Sequence, residues 1–249
     1  INDHRIFFDT DEFCAIKIAV ENNFIEIVNC LLENEKVDPN VNNNIAMKIA
    51  CTNGYIQIVK SLFDNKRVNS EVKINNAIKW AITNNQLEIV KFLLNKKEVN
   101  PVTDNNFSIK HSAANGYNKI LQLLLLDGRS DPTCDNNYTI RMASKNNHPK
   151  IYDLLLKDGR IDPNFDDNFL LKRASKKGIY WQINLLLQDI RTKMFNEQEE
   201  QKNINFAEPI TIIYEENYKE HPIYLSSENG YHKIVKTLLE DKRINGKNN

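Results

Sequence analysis

One spacing constrains this chain more than any other feature. A pair of apolar residues anchored on Leu31 returns at Leu62, Leu93, Leu124, Leu155 and Leu186, each step being 31 residues. A small residue keeps the same step at Ala19, Ala50, Ala81, Ser112, Ala143 and Ala174. Three residues before it stand Ile16, Met47, Ile78, Ile109, Ile140 and Leu171. A seventh copy carries Ile223, Ser226 and Leu238, displaced by 52 residues, one period plus 21. A period between 20 and 50 residues implies stacked supersecondary units, none of which buries its apolar face alone.

Within a unit the pattern predicts two short helices. In 137–163, Ile140 and Ala143 fall on one helical face, and the Asn146-Asn147 pair interrupts the run. Pro149 suits the first turn of a second helix lined by Ile151, Leu154 and Leu155, with Gly159 as a C-terminal cap. Asn44, Asn75, Asn106, Asn137 and Asn168 are expected to cap the first helices with their side chains.

Composition excludes several classes of function. Lys plus Arg and Asp plus Glu each number 33, so no net field attracts nucleic acid or an anionic membrane. The chain contains no apolar run near the roughly 20 residues of a membrane helix. Cys14, Cys30, Cys51 and Cys134 lack metal-ligand spacing and read as free thiols of an intracellular protein, in cytoplasm or nucleus. The five histidines form no ligand or catalytic pattern, and no phosphate-binding glycine loop or nucleophile elbow occurs. Catalysis needs unlike residues converging on one point, whereas a repeat lays like residues out in rows. The expectation is therefore no enzyme, no cofactor, no metal and no small-molecule substrate.

The combination of a small residue, Asn-Gly-Tyr or Asn-Asn-His, and then Ile-Val and Leu-Leu resembles ankyrin repeats. The family pattern is kept best in the last copy, as His221-Pro222-Ile223-Tyr224-Leu225-Ser226-Ser227 followed by Asn229-Gly230-Tyr231. The Asn-led starts of the other copies are similar to arrays of large DNA viruses of amoebae and of amoeboid protists. The resemblance implies an all-α, ankyrin-type helix-turn-helix solenoid, here with a 31-residue period and shortened fingers. The expected organisation is the tail of an upstream repeat at 1–12, six repeats at 13–198, an insertion at 199–219 and a seventh repeat at 220–249. Arg5-Ile6 falls five periods before Arg160-Ile161, so the natural protein is expected to extend further at its N-terminus.

The resemblance also implies a protein-protein interaction module that binds its partner on a concave face. The residues at the ends of the first helices vary between copies: Thr52 and Asn53, Thr83 and Asn84, Ala114 and Asn115, Lys145 and Asn146, Lys176 and Lys177. The three lysines point to a partner with an acidic patch. Glu199, Glu200, Ile213 and Tyr214 of the insertion form a second candidate surface. Two alternatives stand beside this reading, a substrate-recruiting arm of a ubiquitin-ligase adaptor and an architectural spacer.

Two ladders carry charge. Lys17, Lys48, Lys79, Lys110, Arg141 and Lys172 read either as a cationic track or, by preference, as residues bonding the loop carbonyls of a neighbouring unit. Arg67, Arg129, Arg160, Arg191 and Arg243 read as charges at helix C-termini. Trp80 and Trp181 lie in helical register and read as packing residues.

Overall fold

The computed structural model describes residues 14–69, 71–189, 191–192 and 218–241. The described residues form fourteen α-helices and no strand, in two compact units meeting at Asn146–Asn147.

The first unit holds α1 (Ala15–Glu21), α2 (Ile25–Glu33), α3 (Val41–Asn53), α4 (Ile56–Asp64), α5 (Ala77–Thr83), α6 (Leu87–Leu94), α7 (Thr103–Asn115), α8 (Asn118–Asp127) and α9 (Cys134–Lys145). A π-helical turn, Val72–Asn76, leads into α5. First helices stack on first helices, α1 on α3, α5, α7 and α9 in turn, and α2, α4, α6 and α8 form the parallel row. The second unit holds α10 (Pro149–Asp158), α11 (Phe165–Lys177), α12 (Tyr180–Gln188), the 3-10 turn Tyr218–Glu220, α13 (Pro222–Glu228) and α14 (His232–Glu240). Here α11 packs on α13, and α12 packs on both α10 and α14. The architecture is all-α and built of repeated helix pairs, as the period predicts.

The period maps directly onto the core. Leu62, Leu93, Leu124, Leu155 and Leu186 are fully buried, as are Ala50, Ala81, Ser112, Ala143 and Ala174. A small side chain in the first helix lets its neighbour approach, and each buried leucine contributes about 1.5–3 kcal/mol. Trp181 packs edge-on against Tyr152 with ring centroids 5.4 Å apart, as a packing role requires.

The turn inside each pair has one backbone demand. Asn23, Gly54, Asn85, Gly116, Asn147 and Gly178 share a register, and all have φ between 55° and 82°. Glycine and, after it, asparagine tolerate the left-handed region at low cost, and these two residue types alternate there.

The asparagine ladder behaves differently from the capping expectation. Residues 42–44, 104–106, 135–137 and 166–168 each make a complete left-handed turn, with φ from 49° to 63° at three successive Asn or Asp residues. Asn44, Asn106, Asn137 and Asn168 end these turns. The Asn106 Oδ1 accepts from the Asp131 amide in the following loop, at 2.9 Å. The buried Oδ1 atoms of Asn44 and Asn168 have no partner among the described residues. Asparagine is required here for its tolerance of positive φ rather than as a helix cap.

Candidate functional site

The loops after α2, α4, α6, α8 and α10 are each organised by an Asx turn. The Asp38, Asp131 and Asp162 carboxylates accept from the amides of Asn40, Thr133 and Asn164, at 2.8–2.9 Å. This geometry sets the following arginine ladder. Arg67 donates to the carbonyls of Leu32 and Val37, Arg129 to those of Leu94 and Val99, and Arg191 to those of Leu156 and Ile161. The arginines therefore serve the C-terminus of the preceding second helix, not that of their own. An Asp two residues earlier grips Arg129, Arg160 and Arg191 through both its oxygens. The carboxylates of Asp127 and Asp189 hold the Arg129 and Arg191 pKa values above the ordinary value. Glu98 replaces arginine in one copy; there Lys96 lies over Phe92 at 4.8 Å and Phe63 at 5.2 Å. Arg243 lies outside the described residues.

Lys79, Lys110 and Lys172 of the lysine ladder also join neighbouring repeats, but through carboxylates rather than loop carbonyls, whereas Lys17 pairs with Glu21 of its own helix. Lys79 pairs with Asp104. Lys110 Nζ sits 2.6 Å from Asp135 Oδ2, which also accepts from Asn105, and both contacts hold the Asp135 carboxyl below its usual pKa. Lys172 bridges Asp167 at 2.5 Å and Glu220 at 2.7 Å. Burial opposes its charge, but the two carboxylates outweigh burial and raise its pKa. Arg141 Nε donates to the Asn136 carbonyl at 2.9 Å, five residues earlier in its own repeat rather than in a neighbouring one. With carboxylates taking up the charges of Lys79, Lys110 and Lys172, these residues do not form an open cationic track.

The candidate interaction residues within the described repeats sit at the C-terminal ends of first helices. In the first unit Asn53, Thr83, Asn84, Asn115, Lys145 and Asn146 are exposed and Thr52 is half-buried. Since α3, α5, α7 and α9 stack in order, these residues form one row. Part of the row has internal work. Asn84 and Asn115 donate to the carbonyls of Trp80 and His111, four residues back in their own helices, at 2.8 and 2.9 Å. Asn146 donates to the Ala114 carbonyl at 2.8 Å, and Gln86 to that of Thr52 at 2.7 Å. Asn53, Thr83 and Lys145 are exposed, and among the described residues no such bond is seen for them.

In the second unit Lys176 and Lys177 are exposed at the end of α11. They line a cleft between α11 and α13 together with Phe169, Leu225, Arg173, the Lys172–Glu220 pair and the carboxylates of Asp166 and Asp167. Phe169 and Glu220 were absent from the sequence-level site; only stacking α13 on α11 reveals them. Glu199, Glu200, Ile213 and Tyr214 lie outside the described residues.

Among the described residues no group of three or more His, Cys, Asp or Glu side chains could hold a metal ion, and no helix is long and apolar enough to cross a membrane. Cys14 and Cys51 are buried, Cys134 half-buried and Cys30 exposed; all four are free, and burial pushes the Cys51 thiol pKa up.

Rows of like residues on stacked helix pairs define an all-α repeat protein. The family model described as "Ankyrin repeats (3 copies)" matches residues 16–105 and again 66–137. This stretch of the chain is therefore made of ankyrin repeats, a class that in general mediates protein-protein interaction and is non-catalytic. No curated protein matches the sequence.

Proposed function

We propose that this chain is a non-catalytic interaction module that binds a protein partner along the C-terminal ends of its first helices, the concave face of such arrays. The carrying observation is the contrast within one helix. Ala143 and Ala174 are fully buried, while Lys145, Lys176 and Lys177, two or three residues on, are exposed. Residues free of packing duty are the ones that differ between copies, as a recognition surface requires. Phe169 and Leu225 would supply an apolar anchor, and Lys176 and Lys177 would draw an acidic segment to it. The domain bounds belong to the same proposal: six repeats over 13–198, an insertion at 199–219 and a seventh repeat at 220–249.

The test compares capture of a partner by the wild-type chain with capture by the Lys145→Glu/Lys176→Glu/Lys177→Glu variant. Loss of a specific partner, with helix content and melting unchanged, supports the face. Equal capture by both overturns it, and a partner lost only on deleting 199–219 moves recognition to the insertion.

A further inference from the structure

The loop ends of neighbouring repeats are tied by bonds of a few recurring kinds. An arginine after a second helix donates to two carbonyls of the preceding repeat, as Arg67 does to Leu32 and Val37 and Arg129 to Leu94 and Val99. An asparagine ahead of a first helix donates to the arginine's own carbonyl, Asn40 to Arg67 at 2.8 Å and Asn164 to Arg191 at 2.6 Å. A lysine of a first helix pairs with a carboxylate of the next repeat, Lys79 with Asp104 and Lys110 with Asp135. The junction of α1–α2 with α3–α4 has the arginine and the asparagine, and that of α5–α6 with α7–α8 has the arginine and the lysine pair.

Between them, the junction of α3–α4 with α5–α6 has none of these bonds. Glu98 stands at the arginine register and Glu71 at the asparagine register, both exposed, and a carboxylate has no hydrogen to donate to a carbonyl. Opposite Lys48, the register of Asp104 and Asp135 holds Lys73 in the sequence. The backbone departs at the same place: the π-helical turn Val72–Asn76 replaces the left-handed Asn or Asp turns of the repeats on either side. Other contacts remain. Lys96 pairs with Asp64 at 3.7 Å, an ion pair of small worth because the Asp64 side chain is 70% exposed. Lys96 also lies over Phe63 and Phe92, Lys60 lies 6.0 Å from Phe92, and the two rings meet edge-on at 5.7 Å. On the turn side, Gln86 donates to the Thr52 carbonyl at 2.7 Å. These contacts hold α4 against α6 and turn against turn, but supply none of the bonds that tie loop to loop.

We propose that this junction is a built-in seam, at which α1–α4 open from α5–α9 as one cooperative block. In a stacked array stability is approximately a sum of unit and junction contributions, so the first partial opening falls at the junction with the fewest bonds. The seam runs between Asn53 and Thr83 in the row of candidate interaction residues, and the two parts of that row keep their spacing only while it is shut. It is a property of the junction itself and stands whether or not that row binds a partner.

Native-state hydrogen exchange of the full chain is the test. The buried residues Leu32 in α2 and Val59 and Leu62 in α4 should share one opening equilibrium at their amides. Their exchange should be about tenfold or more faster than that of Val90 and Leu93 in α6 or Leu121 and Leu124 in α8, a gap of about 1.4 kcal/mol. Glu71→Asn/Glu98→Arg recreates the Asn40–Arg67 pattern through two exposed positions. It should slow exchange in α1–α4 by about tenfold and leave α6 and α8 unchanged. Protection that declines gradually from α6 to α1 is ordinary end fraying and would overturn the proposal. Equal protection in all four second helices would do the same, as would a step that the double variant leaves in place. The wild-type profile decides by itself if the variant folds poorly.

Discussion

Asn164 and Arg191 clasp each other across a repeat junction. The Asn164 side-chain amide donates to the Arg191 backbone carbonyl at 2.6 Å, while the Arg191 guanidinium reaches back to Leu156 at 2.7 Å and Ile161 at 2.9 Å. The same clasp joins Asn40 to Arg67, at 2.8 Å from amide to carbonyl. A guanidinium suits this position because its planar fork satisfies several carbonyls at once, which an ammonium cannot do. The carbonyls of a helix C-terminus also favour a cation.

Arg191→Lys should therefore destabilise the chain by about 1–2 kcal/mol, despite conserving charge. Asn164→Ala should cost about 1 kcal/mol, and the double variant should cost less than the sum, because both belong to one clasp. Urea midpoints of the four proteins supply the cycle. Strict additivity would show that the two bonds act independently.

Tyr152 and Gln182 form a buried polar pair where other copies are apolar. Gln182 occupies the register of Ile58, Ile89, Ile120 and Ile151, and its Nε2 donates to the Tyr152 hydroxyl at 2.9 Å, both side chains being fully buried. Burial pushes the Tyr152 pKa up, with the Gln182 bond opposing, so the phenol stays neutral. Tyr152→Phe should cost about 1–3 kcal/mol by removing an acceptor from a buried amide. Tyr152→Phe/Gln182→Leu should recover most of that loss, since an apolar pair leaves no polar group to satisfy. Thermal melting of the single and double variants checks the order.

His221 makes α13 sensitive to acid. Its Nδ1 accepts from the Ile223 amide at 3.2 Å, an N-terminal cap that only the neutral imidazole can make. Burial lowers its pKa. A depressed histidine pKa means the unfolded chain binds the proton first. The cap's stability is thus present above the ordinary imidazole pKa of about 6.5 and is lost as pH falls below it. His111, stacked on Phe107 at 5.0 Å, is lowered by burial as well and adds to the same window. Denaturation midpoints should fall between pH 7.5 and 5.5, by about 1 kcal/mol for the cap. His221→Thr, which keeps a capping oxygen, should flatten part of that fall and leave the His111 share.

The period, the buried leucine and alanine registers, and the Asn-or-Gly turn were all legible in the sequence. Each is a local demand, for an apolar stripe or a positive φ, that repetition makes visible. The Asn ladder was visible too, but its cause was not. A run such as Asp135-Asn136-Asn137 suits both a helix cap and a left-handed turn, and only the backbone path chooses between them. The ladders of Lys and Arg were likewise plain as spacing. Their partners across the junctions lie 25 to 48 residues away, on a neighbouring repeat, and stacking alone decides that lysine meets carboxylate while arginine meets the preceding helix end. The cleft of Phe169, Leu225 and Lys176 joins residues from either side of the insertion, so no spacing in the chain announces it. Sequence by itself determined which faces must be buried, because burial follows side-chain chemistry repeated in register. Tertiary structure decided which side chains meet across each junction, because that depends on what stacks beside each helix pair.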